Sequence, residues 1–143
     1  MPKSYSSARA ILLGIAAIIV ANFAISMAVV PIMLHFGEWS FDANPTDESI
    51  LESLPWPVLV GGPILSFLTF ALGGYLAARF SESRAIAHAL IAAVISAAVL
   101  GLSSLYEGET DLLILGAITV VSIAGAVFGG YIVQRSRTRV GTI

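Results

Sequence analysis

The chain has 143 residues, of which 57% are hydrophobic and only 11% are charged, and its mean hydropathy is +0.93. Soluble domains carry about 25% charged residues, so this composition excludes an ordinary water-soluble fold. The absence of cysteine excludes disulfides, thiolate nucleophiles and cysteine-ligated metals. The net charge of −2 gives no electrostatic case for binding nucleic acid.

Four apolar runs follow one another along the chain, and each is long enough to cross a bilayer, which takes about 20 residues. The predicted spans are 10–35, 58–78, 85–105 and 112–133. We therefore predict an all-α polytopic membrane protein with four transmembrane helices in one domain, residues 1–143. A cleaved signal peptide is the alternative for the first run, because Ser26-Met27-Ala28 resembles a cleavage site. The apolar run is, however, longer than the usual signal-peptide core of about 7–15 residues.

The charges are segregated between the two membrane faces that these spans define. All seven Lys and Arg residues lie in the N-terminus, the second connection or the C-terminus, whereas every carboxylate except Glu82 lies in the acidic loop 37–54 or the third connection. Short basic segments stay in the cytoplasm, so we predict a plasma (inner) membrane protein with both termini cytoplasmic. The predicted inner-face residues, expected to set topology and bind anionic lipid headgroups, are Arg79, Arg84, Arg135, Arg137 and Arg139.

A sequence pattern recurs at the ends of the second and fourth spans. Residues 66–79 and 122–135 share Ser, Gly, Gly, Tyr and Arg in register, 56 positions apart. This predicts two copies of a helical hairpin related by an axis along the membrane normal.

Small residues spaced by four positions predict close contacts between helices, because they let the backbones approach in lipid. We expect substitution of leucine at the equivalent Gly73 and Gly129 to loosen the bundle to a similar degree. The predicted packing glycines are Gly73, Gly74, Gly101, Gly125, Gly129 and Gly130.

A few polar side chains lie at mid-depth, although no predicted span contains Asp, Glu, Lys or Arg. Proton relays and coupled transporters usually need an ionisable group there. The layer either holds a small ligand or ion, or its members bond one another and their own helix carbonyls. Asn22 is expected to bond another helix. The predicted midplane residues are Asn22, Ser66, Thr69, Ser96 and Ser122.

No set of residues predicts catalysis, a cofactor or a metal. His35 and His88 are predicted on opposite faces, which prevents them from sharing a metal within one subunit, and both are interpreted as interfacial residues. We therefore expect no enzymatic activity, no cofactor and no metal site.

The Gly-Gly-Tyr-x-x-x-Arg helix ends at Gly73–Arg79 and Gly129–Arg135 resemble those of small uncharacterised four-helix bacterial inner-membrane proteins, grouped as families of unknown function. The resemblance implies an inner-membrane protein and no particular activity. The favoured function is a structural or accessory subunit that packs against a larger membrane complex. The alternative is a small homo-oligomeric channel or carrier for a small solute. The expected partners are the lipid bilayer and other membrane subunits or further copies of this chain.

Overall fold

The structure, a computed structural model, describes residues 7–36, 56–82, 84–107 and 112–140. These residues form four helices, each with a stretch long and apolar enough to span a membrane. The prediction of an all-helical chain with four such helices is confirmed. The acidic loop 37–54 lies outside the described residues. The helices are α1 (Ser7–Phe36), α2 (Trp56–Phe80), α3 (Ala85–Glu107) and α4 (Leu112–Val140).

Helix α4 extends seven residues beyond the predicted span, which ended at position 133. Arg135 and Arg137, which lie beyond the predicted span, are therefore part of the helix. Glutamine and arginine are good helix formers, and no proline or glycine interrupts residues 131–140. The helix consequently continues past the apolar segment.

The helices pack so that α2 and α3 occupy the centre of the arrangement. Each of these two contacts all three other helices, whereas α1 and α4 do not contact each other within the described ranges. The contact between α2 and α4 is the most extensive. These two helices run in the same direction, since Ser66 meets Ser122 near mid-depth and the Ala78 carbonyl meets Arg137 further along.

The core is centred where one residue from each helix meets, and its members are buried. A second buried cluster lies where α2 ends and α3 begins, and includes Val133 of α4. We call this end of the bundle, where α1 and α3 begin and α2 and α4 finish, the basic end, and the opposite end the acidic end. The central cluster consists of Ile18, Phe70, Ala93 and Ala126.

A connection of only four residues joins α2 to α3. The Ser81 hydroxyl and backbone N–H both donate to the Ala78 carbonyl, at 2.7 and 3.3 Å. Arg84 has a positive φ of 52°, and its carbonyl accepts the His88 N–H at 3.2 Å, in the first turn of α3. The left-handed residue reverses the chain, so the two helices pack side by side.

Candidate functional site: the glycine contacts and the basic end

Three glycines place the backbones of α2 and α4 in direct contact. A Cβ on Gly129 would collide with the Ala71 carbonyl oxygen and lie 2.8 Å from the Tyr75 nitrogen. Gly125 faces the Phe67 carbonyl in the same way, and Gly74 faces the backbone of Ala126. Since a carbonyl in a helix cannot move aside alone, a side chain added at any of these positions would force α2 and α4 apart.

Other glycines join the outer helices to this central pair. Gly73 faces α1, where the side chain of Ile18 and the carbonyl of Gly14 would meet an added Cβ, the latter at 2.9 Å. Gly130 faces α3, with Ala89 Cβ at 2.8 Å. Neighbouring glycines in the Gly-Gly motif therefore lie in contacts between different pairs of helices.

Gly101 and Gly14 differ from what the sequence indicated. A Cβ on Gly101 would lie 3.8 Å from the nearest Leu115 atom, which is an ordinary distance and not a close helix contact. Gly14 was not predicted, yet its Cβ position lies 2.7 Å from Ala77 Cβ and 2.9 Å from the Gly73 carbonyl. The pair Ala10-x-x-x-Gly14 had the spacing that would have identified it.

The hydroxyl groups near mid-depth are bonded within the bundle. Ser122 donates to the Ile118 carbonyl of its own helix at 2.7 Å, and it lies 2.8 Å from the Ser66 hydroxyl across the α2–α4 contact. Because a hydroxyl has one proton, Ser66 is the donor to Ser122. Thr69 and Thr119 bond the carbonyls four residues before them, each at 2.8 Å.

Asn22 and Ser96 behave differently from these hydroxyls. The Asn22 amide donates to the Ile18 carbonyl of its own helix at 3.2 Å, and the expected bond to another helix stays a prediction. Helix α1 touches α2 and α3 through Gly14, Ile18 and their neighbours, which leaves Asn22 only half-buried. Ser96 is fully buried, and its hydroxyl has no hydrogen-bond partner among the described residues.

The serine pair predicts a measurable coupling between α2 and α4. We expect Ser66→Ala and Ser122→Ala to be non-additive, with a coupling of roughly 0.6 kcal/mol, as is typical of interhelical bonds in membranes. A double-mutant cycle on unfolding free energy in detergent measures it. Ser103→Ala is the control, because Ser103 bonds only the Val99 carbonyl of its own helix. Additive Ser66 and Ser122 effects would contradict the bond.

The basic end is held by Arg137, whose role the sequence did not reveal. Its guanidinium donates to the carbonyls of Ala78, Arg79 and Ser81, at 2.8, 3.2 and 2.7 Å. These oxygens belong to the last turn of α2 and the residue after it, where helix carbonyls lack their own partners. Only the packing of α4 on α2 brings residues 58 positions apart together, so no local pattern could have identified it.

The other basic residues occupy the same end with fewer contacts. Arg79 folds back on Tyr75, with its guanidinium donating to the phenol oxygen at 2.7 Å and lying 5.7 Å from the ring centre. Arg84 and Arg135 are exposed. The buried His88 ring has Nδ1 3.1 Å from the Arg84 carbonyl. The side chains of His35 and Arg139 lie outside the described residues.

The arrangement supports helix packing better than chemistry. Over the described ranges, His, Asp and Glu form no group of three that would hold a metal ion. Four hydroxyls near mid-depth make short hydrogen bonds within the bundle, and of these only Thr119 also borders an open groove, which lies between α3 and α4 in the described part of the chain. No protein-family model, curated protein or solved structure matches this chain, and four apolar helices identify it as a small integral membrane protein.

Proposed function

We propose that this chain is a structural or accessory subunit that packs against a larger membrane complex. The observation that carries the proposal is the filled centre of the bundle. Gly74, Gly125 and Gly129 bring backbones together where a pore or substrate site would otherwise lie. The hydroxyls of Ser66 and Ser122 are already engaged, because Ser66 bonds Ser122 and Ser122 bonds the Ile118 carbonyl. A protein built this way contributes its outward surfaces, and we propose no enzymatic activity for it.

A continuous apolar stripe on α2 is the surface best suited to another subunit. Its members recur every four residues and are about half exposed. The stripe belongs to α2, which contacts all three other helices. A transmembrane helix placed here would therefore pack on one of the two central helices of the bundle. The stripe consists of Val60, Ile64, Leu68 and Leu72.

The proposal predicts a foreign partner in native membranes. The tagged chain would be extracted with its surrounding lipid by a membrane-solubilising polymer, purified and analysed by native mass spectrometry. We expect a complex with another membrane protein at fixed stoichiometry, lost in Leu68→Trp on the stripe and retained in the exposed control Val120→Trp on α4. A pure homo-oligomer would instead support the alternative, a channel or carrier formed between copies.

We further propose that the basic end faces the cytoplasm of a plasma (inner) membrane. The support is the charge distribution: the exposed Arg9, Arg79, Arg84 and Arg135 all lie at one end of the described bundle, and short basic segments are retained in the cytoplasm. Arg137 lies at the same end but is engaged with α2 carbonyls.

Cysteine labelling tests this orientation. The parent has no cysteine, so each variant carries a single thiol. In intact cells, Ser83→Cys and Thr142→Cys should be protected from a membrane-impermeant thiol reagent, whereas Ser49→Cys and Thr110→Cys should react. Labelling in permeabilised cells checks that the protected cysteines can react when the reagent reaches them. Labelling of Ser83→Cys from outside would reverse the proposed topology.

We also propose that α1–α2 and α3–α4 are copies of one hairpin. Ser66 and Ser122, equivalent in the repeat, bond each other, as residues on a twofold axis would. In an exact repeat, the contact between α2 and α3 would be matched by a contact between α4 and α1. The structure has the first contact, but α1 and α4 remain apart over the described residues. Tyr75 packs against the buried basic-end cluster, whereas Tyr131 is half exposed.

A further inference from the structure

An open groove runs between α3 and α4 on the acidic-end side of the core. Its volume is about 470 Å³, many times the roughly 30 Å³ that one water molecule occupies in the liquid. The residues that define its extent are Val94, Gly101 and Leu105 of α3, and Leu115, Thr119 and Ile123 of α4.

The groove exists because α3 and α4 separate along their length. Near the basic end they are in close contact, with Gly130 against Ala89. Toward the acidic end, Gly101 faces Leu115 side-chain atoms at 3.8 Å, and a Cβ on Gly116 would meet nothing within 4 Å. The groove therefore closes at the central core and opens toward the acidic end.

The length of the groove favours one lipid leaflet over a partner helix. From Val94 to Leu105 the α3 wall rises about 16 Å, at 1.5 Å per residue. This equals about half of the roughly 30 Å hydrocarbon core of a bilayer. A transmembrane helix needs the full thickness, but the groove ends at mid-depth. An acyl chain of the leaflet at the acidic end has the matching length.

The lining favours hydrocarbon over a polar solute. Among the described residues that line the groove, Thr119 alone bears a hydroxyl, and its oxygen donates to the Leu115 carbonyl at 2.8 Å. A polar solute would lose hydration without gaining partners there. An acyl chain needs none, and it gains contact with the groove walls.

We propose that the groove holds one acyl chain of a phospholipid in the leaflet at the acidic end. The length of the groove and its apolar lining carry the proposal.

Photolabelling in vesicles tests this proposal. The full chain would be reconstituted with phosphatidylethanolamine carrying a diazirine at the end of one acyl chain. A chain in the groove brings that group to mid-depth, near Val94 and Ile123. We expect labelling there to exceed labelling of the exposed α2 stripe by about tenfold, corresponding to a binding preference of about 1.4 kcal/mol.

Variants that fill the groove provide the decisive comparison. Gly101→Leu should abolish the preferred labelling, whereas Gly116→Leu, the same change on a surface with nothing within 4 Å, should leave it intact. If Gly101→Leu does not fold, Ala98→Leu carries the test, because Ala98 is an exposed residue of the lining. Equal labelling of the groove and the α2 stripe, or unchanged labelling in the filled variants, would overturn the acyl-chain site.

The remaining outcomes separate this inference from the proposed function. Protection of the groove by a second copy or by a foreign subunit, detected as protein crosslinks at Leu102 or Leu115, would overturn the lipid site. A foreign subunit crosslinked only at the α2 stripe is compatible with an occupied groove, so either proposal can fail alone.

Discussion

Gly129→Ala is expected to destabilise the bundle by about 2–3 kcal/mol, near the upper range for overpacking. The added methyl group would collide with the Ala71 carbonyl and approach the Tyr75 nitrogen. Both obstacles are backbone atoms inside α2, so relief requires α2 and α4 to separate along their most extensive contact. Thermal unfolding in detergent, followed by circular dichroism, measures the effect.

Two matched variants show whether the cost comes from contact or from helix propensity. Gly73→Ala should cost less than Gly129→Ala, because the nearest backbone atom, the Gly14 carbonyl oxygen at 2.9 Å, is farther from the added methyl group than the Ala71 carbonyl oxygen is at Gly129. Gly116→Ala has open space around it and should be neutral or stabilising by up to about 1 kcal/mol, the propensity difference between the two residues. Equal stability of the Gly129→Ala and Gly116→Ala proteins would contradict the close α2–α4 contact.

Arg137→Gln is expected to destabilise the bundle by about 1–2 kcal/mol, the lower range for hydrogen bonds to a charged group, because the site is partly exposed. The change removes donors from the carbonyls of Ala78, Arg79 and Ser81. It also removes a cation from the C-terminal end of α2, where the helix dipole favours positive charge. Unfolding free energy, and the rate of proteolysis at the 81–84 turn, provide two independent measurements.

Arg135→Gln is the matched control, since it removes the same charge two residues earlier from a side chain that is exposed in the structure. It should change stability by less than about 0.5 kcal/mol, as surface substitutions usually do. Arg137→Lys should be intermediate, because an ammonium keeps the charge but lacks the planar set of donors. If Arg135→Gln and Arg137→Gln behave alike, Arg137 acts through charge alone.

Gly73 and Gly129 occupy equivalent places in the repeat, so the sequence predicts a similar cost for each. In the structure they meet different neighbours. The atoms nearest to an added Cβ on Gly73 belong to the Ile18 side chain, followed by the Gly14 carbonyl of α1, whereas those nearest to Gly129 are backbone atoms of α2. The pattern records which residues are small, but the neighbour that each residue meets depends on helix rotation and crossing, which the pattern does not contain.

The sequence by itself determined the number, order and approximate ends of the membrane helices. The physical reason is that the hydrocarbon layer sets a required length, and uncharged runs of that length are visible in the chain. It also determined the separation of acidic from basic connections. Each of these properties is local, because it depends only on residues adjacent along the chain.

Only the tertiary structure decided which contacts the polar and small residues make. Asn22 bonds its own helix, Arg137 binds the end of α2, Gly101 lines a groove and Gly14 packs tightly. Helices in lipid associate through shape, without the hydrophobic driving force that would mark their inner faces. All four helices are apolar on every side, so periodicity cannot tell which face turns inward, and that choice follows from how the four surfaces fit together.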